Sequence, residues 1–293
     1  MGNYTPYKVK LKLLSPLHIG ERKVGNLMQT RDYVPGRIII SALTATIAKQ
    51  TSDDKDINRD LVKNIGNKLR SILVVEYFWP TTDNLNEKPW EIEQEKFDYL
   101  FKFGYASQAV DFSKNSTEQD TLHEVEYIGP HTREGKQVYL TGTIWVLKPH
   151  NKLEHDVEFA ITTKDYHKEF SLRKLLNSIQ IGGERNYGWG EIKVENLEEL
   201  TNSKNKDSNG RPWIEFDPDS SGSTLPAHIL ADEQTKKLIE GPIEPFVSRV
   251  WKNFPGSEPK YSHIYFIPRS KLKQKAKFEI QFGGVLKLIS TTQ

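Results

Sequence analysis

SLRKLLNSIQIGGERNYGWGEIKV, Ser171 to Val194, decides what kind of fold the chain can adopt. Ser171 stands where a helix N-cap is expected, its hydroxyl ready to accept from a free amide of the first turn. Leu172, Leu175, Leu176 and Ile179 follow at i, i+3, i+4 and i+7, one apolar face of a short helix. Gly182, Gly183, Gly188 and Gly190 then fall within nine residues, with Arg185, Asn186, Tyr187 and Trp189 between them. Ile192 and Val194 alternate with Glu191 and Lys193, as in a half-buried strand. The order is helix, glycine-rich loop, strand. A Rossmann fingerprint runs the other way, from strand through loop to helix, so a dinucleotide site is not indicated. Backbone amides, one guanidinium and two aromatic rings suit a phosphodiester chain with splayed bases. The same residues also suit a decorated turn that only joins helix to strand.

The rest of the chain bounds the choices. Its 293 residues permit one large domain or two ordinary ones. Hydrophobic residues at 36% and aromatics at 11% indicate a globular rather than disordered chain. Cysteine is absent, which excludes disulfides, thiolate metal sites and cysteine nucleophiles and is compatible with a reducing, cytoplasmic location. The N-terminal MGNYTPYKVKLKLLSPLHIG carries no secretory pattern, and no apolar run is long enough for a membrane span. The net charge of +2 is unevenly spread: +6 over residues 1–50, −7 over 51–130, −1 over 131–200 and +4 over 201–293. Two basic ends around an acidic middle fit one nucleic-acid face and one protein-facing insertion, or simply a solvated surface.

Working outward from the loop, Tyr7–Leu14 alternates strictly, with Tyr7, Val9, Leu11 and Leu13 on a core face and Lys8, Lys10 and Lys12 on the other. Pro16, Gly20, Gly25, Pro35 and Gly36 punctuate a loop or hairpin that carries Arg22, Lys23, Arg31 and Arg37. Helices are expected at about Ile39–Gln50 and 60–72, separated by a polar break in which Asp53, Asp54 and Asp56 read as solvated loop rather than metal ligands. Leu73–Trp79 is a strand. Residues from about 80 to 135 read as an insertion, with a helical piece at Glu93–Phe103. HEVEYI (123–128) and QVYLTGTIWVL (137–147) read as a hairpin-like pair, and Val157–Thr162 as a strand. Residues 201–222 are rich in Ser, Asn, Gly and charge and read as a linker. The C-terminal part, 223–293, is expected to hold a helix at about Leu230–Ile239 and strands at 261–267 and 278–290.

No P-loop, HExxH or GxSxG motif occurs. His18 is placed for two roles: a general base toward an RNA 2′-hydroxyl, or a hydrogen-bonded structural histidine at a strand end. Asp32 is equally open between a cleavage residue and the partner of an arginine. Neither metal ligands nor a cofactor site is indicated.

Several stretches together resemble the RAMP superfamily of CRISPR–Cas proteins. An amphipathic strand is followed by SPLHIG; YVPGRIIISAL (33–43) resembles the family segment that leads into the first helix; IGGERNYGWGEIKV (181–194) resembles the glycine-rich loop before the last strand. They lie in the family's order and frame residues 7–199. HEVEYIGPHTREGKQVYLTGTIWV and EGPIEPFVSRVW with YFIPRS are similar to the inserted hairpin and C-terminal part of subunits that cap the 5′ handle of the guide in type III effector complexes. The resemblance implies an α+β, ferredoxin-like (RRM-like) core over residues 1–200, with a smaller β-rich C-terminal domain that is open to being a second ferredoxin-like domain. It implies a non-catalytic RNA-binding subunit in antiviral defence. Its partners would be crRNA, the large polymerase-like subunit and the backbone RAMP subunits, with target RNA reached indirectly. Carried over by position, Gly182, Gly183, Arg185, Tyr187, Gly188 and Gly190 match the loop, with Asn186 and Trp189 inside it. Tyr33, Pro35, Gly36 and Arg37 match the segment before the helix, and His18 matches the HIG histidine. Arg22, Lys23 and Arg31 complete the expected RNA face. Arg37 and Ser41 stand where the family usually has small residues. The alternatives are a backbone subunit that coats the spacer and cleaves target RNA through Asp32, and a guide-processing endoribonuclease with His18 as base; a protein-only adaptor is a further one.

Overall fold

A computed structural model of the protein describes residues 4–52, 59–83, 88–108, 110–111, 116–117, 123–153, 155–162, 167–200, 211–219, 224–250 and 258–291. Asp53, Asp54 and Asp56 lie outside the described residues.

The alternation at the start of the chain becomes β1 (Tyr4–Leu13), in which Tyr7, Val9, Leu11 and Leu13 are buried and Lys8 is exposed. Each such fully buried side chain contributes about 1.5–3 kcal/mol of transfer free energy. A hairpin follows, β2 (Gly20–Val24) and β3 (Leu27–Thr30). α1 (Gly36–Thr51) then buries Ile39, Ile40, Leu43 and Ile47, and α2 (Arg59–Ile72) buries Ile65 and Leu69. The strand expected at Leu73–Trp79 is split into β4 (Leu73–Val75) and β5 (Trp79–Thr81). The chain breaks there because Phe78 exchanges both backbone hydrogen bonds with Val34, at 2.8 and 2.9 Å.

Within the stretch read as an insertion lie α3 (Gln94–Phe101), β6 (Lys102–Ser107) and the small pair β7 (Val110–Asp111) and β8 (Ser116–Thr117). β9 (His123–Ile128) and β10 (Tyr139–Leu147) do not pair with each other as expected. β9 joins β3 and β6 in a four-stranded accessory sheet of order β2-β3-β9-β6, whereas β10 pairs with β1. Leu140, Ile144 and Val146 of β10 carry the reason. They extend the buried row of β1, Leu11 opposite Leu140 and Tyr7 opposite Ile144, and bury an apolar face that a free-standing hairpin would leave wet.

β11 (Asn151–Leu153), β12 (Asp156–Thr162) and β13 (His167–Ser171) form a three-stranded sheet that leads into α4 (Leu172–Asn177). Ser171 caps α4 as read, its Oγ accepting from the Lys174 amide at 3.0 Å. The helix ends before Ile179: Ser178 stands at φ −103° and ψ 1°, its amide closes a turn on the Leu175 carbonyl at 3.0 Å, and Asn177 Oδ1 accepts from the Val194 amide of the next strand at 2.7 Å. β14 (Ile192–Glu199) closes the unit. The sheet order β14-β1-β10-β4, with β5 also on β10, is antiparallel throughout. With one crossover through α1 and α2 and another through α4, this is the β-α-β-β-α-β arrangement of a ferredoxin-like fold. The helices cover one sheet face; Lys8, Lys10, Thr141 and Thr143 lie on the other.

The C-terminal part is β-rich. It comprises β15 (Trp213–Phe216), β16 (Ile229–Leu230), α5 (Thr235–Leu238), β17 (Ile239–Glu240), β18 (Ile243–Val250), β19 (Glu258–Phe266), β20 (Lys271–Leu272), β21 (Ala276–Ile280) and β22 (Leu286–Thr291). Six of these make a sheet of order β15-β21-β22-β16-β19-β18, and β17 pairs with β20. β15 lies inside the stretch read as linker and pairs with β21. The helix expected at Leu230–Ile239 is a single turn; before it, Asp232 Oδ1 accepts from the Gln234 and Thr235 amides and Thr235 Oγ1 donates to the Leu230 carbonyl at 2.6 Å. The strand read at 278–290 is a hairpin, β21 and β22, interrupted by a 3-10 turn at Phe282–Gly284.

Candidate nucleic-acid interface

The glycine-rich loop and the SPLHIG segment are one structure. Gly190 donates to the Pro16 carbonyl at 2.8 Å and Gly183 to the His18 carbonyl at 2.9 Å. Leu14 donates to the Glu191 carbonyl at 2.9 Å, and Ser15 Oγ accepts from the Glu191 amide at 2.9 Å. Two glycines make this approach possible. Gly190, at φ 78°, would place a Cβ 1.8 Å from the Ile181 carbonyl oxygen, and Gly182, at φ 85°, would place one 2.4 Å from the His18 carbonyl oxygen. The amides of Gly183, Gly188 and Gly190 are therefore spent inside the protein, on His18, Arg185 and Pro16. The loop's outward surface is instead its tip, a 3-10 turn at Arg185–Tyr187 between left-handed Glu184 and Gly188. Arg185, Asn186 and Tyr187 are exposed there, Tyr187 by 79%.

Trp189 faces the other way and rests on the accessory sheet. Its ring meets Tyr127 at 5.0 Å and Tyr105 at 6.0 Å between centroids, and Tyr127 in turn stacks on Phe103 at 5.7 Å. His123 Nε2 lies 3.7 Å from the Glu184 carboxylate. No motif in the sequence marks Tyr105 or Tyr127 as part of this surface. Phe103 closes the stretch read as helical at Glu93–Phe103, whereas the helix ends at Phe101 and Phe103 and Tyr105 alternate along β6. Arg22 and Lys23 are exposed on β2, with Arg22 Nε donating to Gln29 Oε1 at 2.6 Å.

The remaining expected site residues sit inside the protein. His18 is buried, and its Nδ1 donates to the Glu126 carbonyl at 2.8 Å, the structural alternative for this residue. Asp32 is buried with both oxygens engaged: Lys102 at 2.7 Å on one, Gln94 at 2.9 Å and Arg269 at 3.3 Å on the other. Burial opposes the charge on Lys102, but the Asp32 carboxylate more than offsets it and its pKa is raised. Arg269 lies 4.9 and 5.3 Å from the ring centroids of Phe97 and Trp79. Arg31 Nη1 donates to Glu244 Oε1 and to the Tyr33 hydroxyl, both at 2.8 Å, and Tyr33 is buried against Tyr77. Arg37 donates to the Val247 carbonyl at 2.9 Å and covers the Phe246 ring.

These arginines belong to a polar chain between the ferredoxin-like unit and the C-terminal sheet. Tyr77 and Glu244 hold the two ring nitrogens of His228, each at 2.6 Å, and Arg31 holds Glu244. Burial lowers the pKa of the fully buried His228. Burial pushes Glu244 up, but the hydrogen bonds from His228 and Arg31 outweigh it and bring its pKa down to about 2. Next to this joint, a cavity of about 620 Å³ separates the open face of the ferredoxin-like sheet, at Lys8, Lys10, Thr141 and Thr143, from Ile214, Phe216 and Ile280. Glu76 lines it, its carboxyl pushed up by burial while accepting from Trp145 Nε1 at 2.8 Å. Among the described residues no group of three or more His, Asp or Glu is placed to hold a metal ion, and no helix is long and apolar enough to cross a membrane.

No curated protein matches the chain. Among solved structures, a chain of a type III-B Cmr-beta complex bound to cognate target RNA and AMPPnP is 14% identical, with a TM-score of 0.47, over 90% of this chain and 85% of that one. A chain of the same kind of complex bound to cognate target RNA is 13% identical, with a TM-score of 0.45, over 90% and 86%. A CRISPR protein from Archaeoglobus fulgidus is 13% identical, with a TM-score of 0.34, over 99% and 100%. The RAMP superfamily is matched over residues 10–193, from β1 through the glycine-rich loop into β14. That match spans more than half of the chain, and it takes in both the SPLHIG segment and the glycine-rich loop that are hydrogen-bonded together here: the chain belongs to the RAMP superfamily.

Proposed function

We propose that the chain is a non-catalytic RNA-binding subunit of a type III CRISPR surveillance complex, where it caps the 5′ handle of the crRNA. The observation that carries this reading is the loop's construction. Its base is fixed by four hydrogen bonds to residues 14–18, while its tip presents Arg185, Asn186 and Tyr187 to solvent. A rigid base with an exposed guanidinium and ring binds a flexible polyanion at low ordering cost. Arg22 and Lys23 on β2 add charge for the salt-dependent part of binding. Residues 1–200 form the RNA-binding unit and 223–293 a C-terminal domain, with the large polymerase-like subunit and the backbone subunits as neighbours. Asp32 and His18, the residues on which the two cleaving alternatives depend, are held by internal partners, which favours the non-catalytic reading.

Binding of handle-bearing RNA against a scrambled RNA tests the proposal. Tighter binding of the handle is expected, with Arg185→Ala weakening it and making the salt slope shallower by about one. Trp189→Ala should weaken it as well, by loosening the loop from the accessory sheet. Equal, weak binding of both RNAs, insensitive to either substitution, overturns it.

A further inference from the structure

We infer that the accessory sheet carries a second RNA contact, a stacking platform for unpaired bases centred on Tyr105. The inference rests on the reading that the chain binds RNA. The pairing register puts Lys23, Met28, Val125 and Tyr105 in one row across β2, β3, β9 and β6. Tyr127 and Phe103 form the next row on the same face, their rings stacked at 22°. Tyr105 is 53% exposed on the edge strand, a large ring left in solvent although Trp189 and Tyr127 lie against its neighbourhood. The platform is thus continuous with the glycine-rich loop through Trp189.

Charge decides which occupant fits. Exposed Lys23 stands in the row itself, Arg133 covers the Phe103 ring at 4.9 Å, and Arg185 projects from the adjoining loop. The carboxylates of β9 face away: Glu124 and Glu126 lie on the opposite side of the sheet, where Glu126 accepts from the Thr30 amide at 2.9 Å. Glu184 at the platform's edge is faced by His123. An aromatic surface rimmed by three cations, with the β9 carboxylates on the far side and Glu184 at its edge, suits a nucleic acid, and side chains of this kind reach the faces of bases only in unpaired strands.

The test uses the full chain and a short single-stranded RNA carrying 2-aminopurine, alone or annealed to its complement. Wild type should quench the 2-aminopurine in the single strand. Tyr105→Ala should weaken single-strand binding about 5- to 100-fold with duplex binding unchanged, while Tyr105→Phe, which keeps the ring, binds as wild type. If Tyr105→Ala binds the single strand like wild type while Arg185→Ala does not, RNA binding stands and the platform falls, as it would if a protein covers this face. If wild type binds neither RNA, the proposed function falls and the platform with it.

Discussion

Gly190→Ala and Gly188→Ala separate two demands that a glycine can meet. Both glycines sit in the left-handed region, at φ 78° and 79°. At Gly188 an added Cβ meets nothing within 4 Å, so only the backbone conformation is penalised, at about 1–2 kcal/mol. At Gly190 the Cβ would lie 1.8 Å from the Ile181 carbonyl oxygen, and backbone must move. That movement strains or breaks the bonds from Ile181 to Gly190 at 3.0 Å and from Gly190 to Pro16 at 2.8 Å. Each bond contributes about 1 kcal/mol net, and leaving a buried member unpaired costs about 1–3 kcal/mol. Stiffening of the unfolded chain by alanine returns about 0.4–1 kcal/mol in both variants. The expected loss is about 3–5 kcal/mol for Gly190→Ala against about 1 kcal/mol for Gly188→Ala. If the loop opens by itself, the global loss is capped at its local opening free energy. Urea unfolding gives the global term, and amide exchange at Gly183 and Gly190 reads the local one. Equal, small losses in both assays for the two variants would refute the assignment of Gly190 to close approach.

The His228–Glu244 joint predicts acid lability in two stages. The folded pKa of His228 is lowered, so below about pH 6.5 the unfolded chain binds a proton that the folded chain refuses, and stability falls as pH falls. Glu244, at about 2 when folded, adds a further loss as pH drops from about 4.5 toward 2. His228→Gln should flatten the stability profile just below pH 6.5, where one group accounts for at most about 1.4 kcal/mol per pH unit; an unchanged slope in urea titrations counts against it. Asp32→Ala should cost up to about 3–5 kcal/mol, because Arg269 loses its buried carboxylate while Lys102 falls back on Asp98 at 3.0 Å; a urea midpoint like wild type would show that the cluster is not structural. Arg31→Ala should lose stability and release the C-terminal sheet, whereas exposed Arg185→Ala should change stability by less than about 0.5 kcal/mol while weakening RNA; the reverse pattern in paired unfolding and binding measurements would exchange their roles.

What was legible in the sequence was local. β1 could be read because alternation with period 2 is imposed by one buried face, and Ser171 because an N-cap acts within three residues. The placement of β10 could not, since both 123–128 and 137–147 carry strand patterns and their closeness in sequence argues for a hairpin that the sheet does not use. Long-range polar pairs were equally hidden. Arg31 meets Glu244 across 213 residues and Tyr77 meets His228 across 151, and no pattern near either member announces the other.

That hidden pairing bears directly on which cations can meet RNA. Read as a row, Arg22, Arg31, Arg37 and Arg185 are alike: arginines in glycine-punctuated segments. Packing divides them. Arg31 and Arg37 are engaged with Glu244, Tyr33 and the Val247 carbonyl, and turning either toward a phosphate leaves a buried group unpaired, which offsets what the phosphate returns. Among the described residues, Arg185 surrenders no side-chain partner that holds the fold, and Arg22 gives up an exposed bond to Gln29. The same reasoning applies to the aromatic rings: Tyr33 is sealed by Tyr77 and Trp79, while Tyr105 and Tyr187 stand open. The proposed RNA surface, assembled from groups that are not already structural, therefore follows the loop tip and the accessory sheet with its strand β2. The open face of the ferredoxin-like sheet is a poorer site, because the C-terminal sheet stands across the cavity from Lys8 and Lys10.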